Sequence, residues 1–409
     1  MKKNIPFSRP LINQDVISEM MDTLQNTGWL TSGPKTLAFE KEIRQFTNCP
    51  AVVCVNSWTS GAMLMLRWFG VGPGDEVIVP AYTYCATALC VLNMGATPVM
   101  VDVRADFTID TTKLAQAITG RTKAVIPVDI GGWPCDYDGI KKIILSPEVL
   151  ERFAPASENQ KKLGRILLIA DAAHSIGATT DGIQSGNFAD ISVFSFHSVK
   201  NITTGEGGAI CVNLPAPFDN AVEYRFLKTL SLNGQNKSAF EKNQPGSWRY
   251  DIIAPGLKVN MPDVCAAIGL AQIRKYKSEM LPERRRIFDF YTAKLSAFDW
   301  AILPAYDKGR TVSSFHLYLL RIKGITEEQR DRMIHLISLE GVGVNVHYIP
   351  MAMLTLFKTL GFKIEDYPMT QALYSNEITL PVYNGLTGDQ LTAVVGAVVC
   401  AYNAVHHDG

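Results

Sequence analysis

The chain has 409 residues and no surplus charge of either sign, since Lys+Arg and Asp+Glu each number 39 and the formal net charge is zero. That balance argues against a nucleic-acid or anionic-membrane surface as its main business. The eight cysteines include no CxxC pair and no zinc-type spacing, so no metal centre is expected. Cys85 and Cys90 read instead as packed thiols on a helix, and a reduced, cytoplasmic setting is the expectation. No apolar stretch follows the two lysines of MKKNIPFSRP, which excludes a signal peptide by pattern. The longest apolar run near the end, LTAVVGAVVCAYNAV (391–405), is too short for a bilayer and predicts a buried C-terminal helix. Repeats and low-complexity tracts are missing too. With 47% hydrophobic and 19% charged residues, the composition is that of a folded globular protein.

What the first half does contain is a series of short apolar, β-branched segments: AVVCVN (51–56), EVIVPAY (76–82), TPVMVDV (97–103), KAVIPVD (123–129), RILLIAD (165–171), ISVFSF (191–196) and GAICVN (208–213). Most are continuous rather than alternating, as expected for strands covered on both faces. Helix-like stretches such as TSGAMLMLRWFG (59–70) and TTKLAQAIT (111–119) lie between them. Strands alternating with helices predict an α/β fold with a mostly parallel sheet. After about residue 256 the pattern changes: a charged helical stretch (263–295) precedes FHLYLLRIK (315–323), a helix from about Thr326, and GVGVNVHYIP (341–350). The division expected is a large domain over 1–255 and a smaller α+β domain with its connecting helix over 256–409. The polar segment from about Leu145 to Gly164 reads as a surface insertion, at the pocket mouth or merely on the surface.

Ligands of an open parallel sheet gather at the carboxyl ends of its strands. The first strand is followed by Asn56, Ser57, Trp58 and Thr59, opening a helix whose free N–H groups favour a phosphate. A plain Ser/Thr cap accounts for that stretch as well. Tyr82 and Tyr84 follow the second strand, where an aromatic either stacks on a planar ring or fills the rim. Asp171 ends the fifth strand with His174 close behind, and a carboxylate there is costly unless paired. Ser195, His197 and Lys200 end the sixth, before Gly205, Gly207 and Gly208. A phosphate-type helix start, an aromatic, a carboxylate and a lysine are the parts needed to hold pyridoxal 5'-phosphate. The lysine amine condenses with its aldehyde, and the carboxylate keeps the ring nitrogen protonated.

GWLTSGPKTLAFEKEI (28–43), GVGPGDEVIVPAYTYCAT (70–87), GATPVMVDV (95–103), TKAVIPVDIGG (122–132), DAAHSIGA (171–178), FSFHSVKNITTGEGG (194–208) and APGLKVNMPDVCAAIGLAQI (254–273) run in one order over almost the whole chain. In these motifs the sequence resembles the DegT family of pyridoxal-phosphate-dependent nucleotide-sugar aminotransferases. PFSRP, DAAH and the KVN of 258–260 look most similar to the branch making UDP-4-amino-4-deoxy-L-arabinose. The resemblance implies the type I aminotransferase fold, a seven-stranded mainly parallel sheet with a smaller C-terminal domain. It implies Lys200 as the Schiff-base lysine and proton shuttle, Asp171 on the pyridinium nitrogen, and His174 near the ring's 3-hydroxyl. Tyr84 would stack on the ring, and Trp58, Thr59 and Ser195 would bind the phosphate. Trp58 stands where the family usually has a small residue.

The resemblance further implies a homodimer with shared active sites, in which Lys258 and Asn260 reach the partner's cofactor. Arg9 and His347 are candidates for the substrate side, with a surface arginine and a core histidine as the plainer readings. The implied reaction is transamination of a nucleotide-linked keto sugar, most of all at C4, with glutamate as donor. Another ketone or sugar carbon, or a regulatory protein that keeps the cofactor without turnover, are the alternatives.

Overall fold

In the structure, a computed structural model that describes residues 4–407, all seven expected strands form. They are β1 (Ala51–Val55), β2 (Glu76–Pro80), β3 (Thr97–Val101), β4 (Thr122–Val125), β5 (Leu167–Asp171), β6 (Ile191–Ser195) and β7 (Gly208–Val212). They make one sheet in the order β1-β7-β6-β5-β4-β2-β3, parallel throughout except that β7 runs antiparallel to both neighbours. All but one of the strands are buried along almost their whole length; the edge strand β3, with Thr97 exposed, is the exception. This is why they read as continuous apolar runs: helices cover both faces.

Helix α1 spans Gln14–Asp22, α2 Pro34–Thr47, α3 Trp58–Phe69, α4 Ala86–Leu92 and α5 Asn220–Leu230. The expected helical stretch after residue 263 is two helices, α6 (Asp263–Lys275) and α7 (Leu281–Leu295), joined by a π-helical turn over Tyr276–Met280. Pro282 has no N–H to give the carbonyl four residues before it, and the wider turn falls there. Helix α8 (Glu327–Leu339) starts at Thr326 in a capping box with Gln329, as its sequence predicted. The C-terminal apolar run lies in α9 (Gly388–His407), and no helix among the described residues is long and apolar enough to cross a membrane. A second, antiparallel sheet of β8 (Ala301–Ile302), β9 (Tyr318–Ile322) and β10 (Glu377–Leu380) packs with α7, α8 and α9 around Phe288, Tyr318, Met333 and Val394. Ile5 joins that core, while Met261, Leu270 and Tyr276 pack with Phe39 and Phe196 against the large sheet.

Buried carboxylates tie these layers together. Asp263, fully buried at the start of α6, accepts the N–H groups of Gly33, Lys35 and Thr36 at 2.8–2.9 Å and the Thr36 hydroxyl at 2.6 Å. It therefore caps α2 from a helix some 230 residues later. Glu40 on α2 likewise accepts from Cys54 N–H, the Tyr224 hydroxyl and Lys228 Nζ, each at 2.8 Å. The segment 145–164 forms two short helices, Pro147–Arg152 and Glu158–Leu163. Its Ser157 hydroxyl and the side-chain amides of Asn159 and Gln160 donate to the last carbonyls of α3, at Trp68 and Phe69. It thus closes the end of α3 remote from the strand termini, roughly 18 Å away along a helix of this length. That corrects the expectation of a pocket-mouth or decorative insertion.

Replacing Asp263 by Ala leaves three helix N–H groups without their acceptor. The expected loss is about 1.5–3 kcal/mol in urea unfolding, with Asp263→Asn recovering part of it.

Candidate active site

Parallel strands expose their carboxyl ends on one edge of the sheet, and a cavity of about 430 Å³ opens there. Its wall is built from residues following β1 (Ser57, Trp58, Thr59), β2 (Thr83, Tyr84, Thr87), β5 (Asp171, Ala173, His174) and β6 (Ser195, His197, Lys200). Gly207, at the start of the antiparallel β7, and His347 and Tyr348 from the C-terminal part complete it. Of the site residues expected from sequence, Lys200, Trp58, Thr59, Tyr84, Asp171, His174, Ser195 and His347 therefore meet in one place. Three do not. Arg9 is exposed on the surface outside this cavity. Lys258 and Asn260 bond each other, and Asn260 donates to the Ser32 hydroxyl at 2.7 Å, beside a different hollow.

Asp171 is held in place from several sides. Its backbone N–H donates to Pro127 O at 2.8 Å, Oδ2 accepts from the Thr87 hydroxyl at 2.9 Å, and Oδ1 accepts from Ala173 N–H at 3.2 Å. Burial pushes its carboxyl up to about 7, opposed by those hydrogen bonds and by the charge of Lys200. Burial also pushes the Lys200 amine down to about 8, opposed by Asp171. A lysine that loses its proton near neutrality is a usable nucleophile and proton carrier, which a solvated lysine is not.

His174 is neutral, since burial and then Lys200 hold it well below its ordinary range. Its Nδ1 accepts from Gly131 N–H at 3.2 Å, so the ring proton sits on Nε2, 3.1 Å from the Tyr348 hydroxyl. The rings of Tyr348 and Tyr84 lie 5.6 Å apart, and Tyr84 is 58% exposed, its face free at the rim. Thr87 and Tyr348 are two site residues that the sequence pattern does not single out. Thr87 stood inside the quoted AYTYCAT, three residues beyond Tyr84, on the face that α4 turns toward Asp171.

At the opposite side, α3 begins. Ser57 caps it through Ser60 N–H at 3.1 Å, leaving the N–H groups of Trp58 and Thr59 without intrahelical acceptors. The hydroxyls of Ser57, Thr59 and Ser195 line the same end. The Trp58 indole is packed into the core at 5% exposure, its N–H unpartnered. Gly208 is required by a close approach of backbones. A Cβ there would lie 2.7–2.8 Å from Phe194 O, Ser57 C and Trp58 N, so the glycine lets β7 pass beside the helix start. A Cβ on Gly207, which does face the cavity, would meet the Thr204 hydroxyl and Met261.

The sequence profile of the DegT/DnrJ/EryC1/StrS aminotransferase family matches residues 11–151 and 154–399, breaking inside the segment that closes α3. The chain belongs to that aminotransferase family. Among solved structures, the Streptococcus pneumoniae protein Spr1654, named as a sugar aminotransferase, superposes in its PMP form with a TM-score of 0.94 at 41% identity, covering 98% of this chain and 100% of that one. Its PLP form superposes with a TM-score of 0.93 at 40% identity over the same shares. SpsC, a spore coat polysaccharide biosynthesis protein of Bacillus subtilis (strain 168), is 35% identical over 403 residues, 96% of each chain. As a DegT-family aminotransferase, the protein has its catalytic lysine candidate, Lys200, and its carboxylate, Asp171, at adjoining strand ends of one cavity.

The raised Asp171 has a consequence for stability. A carboxyl whose folded pKa lies above its unfolded value binds protons more tightly when folded. Its stabilisation is present below about pH 4 and is lost as pH rises through about 7. In the cofactor-free protein, Asp171→Asn is expected to flatten that stretch of the stability–pH curve and to raise stability at pH 8 by up to roughly 4 kcal/mol, read from urea midpoints.

Proposed function

We propose that the protein transfers an amino group from glutamate to the ketone of a nucleotide-linked sugar, at C4, and does so as a homodimer. The observation that carries the reading is the meeting of Lys200 and Asp171 in a desolvated cavity whose far end is the open start of α3. Family membership makes the chain an aminotransferase, and the PLP and PMP forms of a relative 40–41% identical identify pyridoxal phosphate as the cofactor. The residues present fit that group. The free N–H groups of Trp58 and Thr59 with the Ser57, Thr59 and Ser195 hydroxyls suit a phosphate.

When bound, pyridoxal phosphate supplies an aldehyde that takes up the amino group and a ring that accepts electrons. Asp171 would hold the proton on the ring nitrogen through a carboxylate that Thr87 and Ala173 orient. Lys200 Nζ would take the proton from the donor's α-carbon and return it in the second half of the cycle. Its depressed pKa leaves much of the amine unprotonated near pH 8. Tyr84 would cover the ring's face and His174 its 3-hydroxyl side, Tyr348 keeping the imidazole in place. His347 would face the substrate.

Support for a sugar substrate comes from the names of Spr1654 and SpsC, and for a C4 ketone from PFSRP, DAAH and KVN, which resemble the UDP-4-amino-4-deoxy-L-arabinose branch. SpsC also favours a role in polysaccharide assembly. Support for a dimer comes from Trp248, Tyr250, Ile252 and Ile253, all more than half exposed and close in sequence to Lys258 and Asn260. Such an apolar ridge beside two residues that miss their own cavity suits a second copy's active site.

The test is an absorbance spectrum of the cofactor-loaded protein before and after glutamate, beside Lys200→Ala. The expected result is a cofactor band that converts to the pyridoxamine form in the wild type, at least 10²-fold faster than in the variant. A loaded wild-type protein that glutamate leaves unchanged counts against glutamate as donor, and glutamine and other amino acids then distinguish a different donor from an inactive protein.

A further inference from the structure

The two ring nitrogens of His347 are in different circumstances. Nδ1 lies 2.9 Å from Thr379 Oγ1. No protein group among the described residues bonds Nε2, which leaves that nitrogen to the cavity His347 lines. Thr379 is fully buried on β10, two residues from Glu377 and so on the same face of the strand. Its hydroxyl bonds Glu377 Oε1, and Glu377 Oε2 accepts the backbone N–H of His347 at 3.0 Å. Carboxyl, hydroxyl and imidazole thus form a closed ring of hydrogen bonds, of which only the imidazole reaches the cavity.

A hydroxyl has a single proton, and this sets the direction of the chain. With Glu377 ionised, Oε1 can only accept, so Thr379 donates to it and must accept from His347. Nδ1 then carries the imidazole proton and Nε2 faces the cavity as a bare acceptor. With Glu377 protonated on Oε1, Thr379 receives that proton's hydrogen bond and donates to Nδ1, which moves the imidazole proton to Nε2. We infer that Glu377 and Thr379 are positioning residues that decide which nitrogen of His347 is protonated, and so whether this wall offers the substrate an acceptor or a donor. The substrate part of the inference rests on the functional reading above. An acceptor would suit a sugar hydroxyl, a donor a carbonyl oxygen or a carboxylate.

The surroundings keep the choice within this ring. His347 stays neutral in both states, pushed down to about 3 by burial and then by Lys200. Burial pushes Glu377 up to about 8, opposed by Thr379, by the His347 N–H and by Arg330, so the exchange falls near pH 8. Arg330, buried on α8, donates to the Glu377 carbonyl at 3.2 Å. Tyr82 and Tyr348, which also face the carboxyl, are held neutral by burial. On the imidazole side, His174 and His316 are neutral for the same reason. Lys200, at about 8, and Asp171, at about 7, titrate in the same range.

The experiment is nitrogen-15 NMR of histidine-labelled, substrate-free protein, which distinguishes bare from protonated ring nitrogens, with His347 assigned by its loss in His347→Asn. The expected result is passage from the Nε2–H to the Nδ1–H tautomer as pH rises through about 8, retained in Lys200→Ala. Glu377→Gln, which keeps a donor toward Thr379, should hold the Nε2–H form on both sides of that pH. Thr379→Val should uncouple the ring from Glu377. The same tautomer in the wild type and in a folded Glu377→Gln protein at every pH overturns the inference, as does an unchanged pH response in Thr379→Val if the first variant does not fold. Tautomer exchange in a protein that fails to aminate any keto sugar supports the relay and counts against the functional reading alone.

Discussion

Lys200 and Asp171 share one desolvated space, and burial moves each toward its neutral form, the lysine down to about 8 and the aspartate up to about 7. Each also opposes the other's shift, because the charged pair is mutually attractive. The result is two groups poised within about a unit of each other, where small changes in the cavity's charge redistribute protons. A bound cationic ring nitrogen would favour the ionised aspartate, and an amine bonded elsewhere would relieve the lysine. The site is thus poised in charge and complementary to a particular kind of occupant, which is how a scaffold spends stability on function.

The remainder of the molecule holds that arrangement still. The carboxylate side is anchored by hydrogen bonds to Thr87 on α4 and to Ala173 and Pro127 at neighbouring strand ends. The phosphate-type side depends on α3, whose start is pinned against β7 at Gly208 and whose end is closed by Ser157, Asn159 and Gln160. Asp263 fastens α2 to α6, and Glu40 fastens it to β1 and to α5, each carboxylate satisfied by at least three donors. Buried charge of this kind stabilises only when fully partnered, so these residues define one packing and penalise others.

Most of the seven-stranded sheet was legible because its strands are buried on both faces. Continuous runs such as RILLIAD and ISVFSF can hardly be anything else between helical segments, and all but KAVIPVD, whose strand ends at Val125, appear within two residues of their expected limits. The strand ends then supplied the chemistry by position alone: Ser57, Thr59, Tyr84, Asp171, Ser195 and Lys200 all follow such runs. Reading failed where a residue's importance lies in what it touches. Thr87 looks like any helical threonine, and the insertion's polar side chains gave no sign of the carbonyls they satisfy. Arg9, read as either a substrate ligand or a surface arginine, is exposed outside the cavity.

By itself, then, the sequence determined the elements, the sheet's parallel character and the residues standing at its functional edge, because local hydrophobic pattern and strand termini are properties of short segments. Only the tertiary structure decided which of those residues meet, what protonation burial imposes on them, and that His347 belongs to a ring with Glu377 and Thr379. Those are properties of distance and desolvation between segments far apart in sequence, as Asp102 is from Thr370, and no local pattern encodes them.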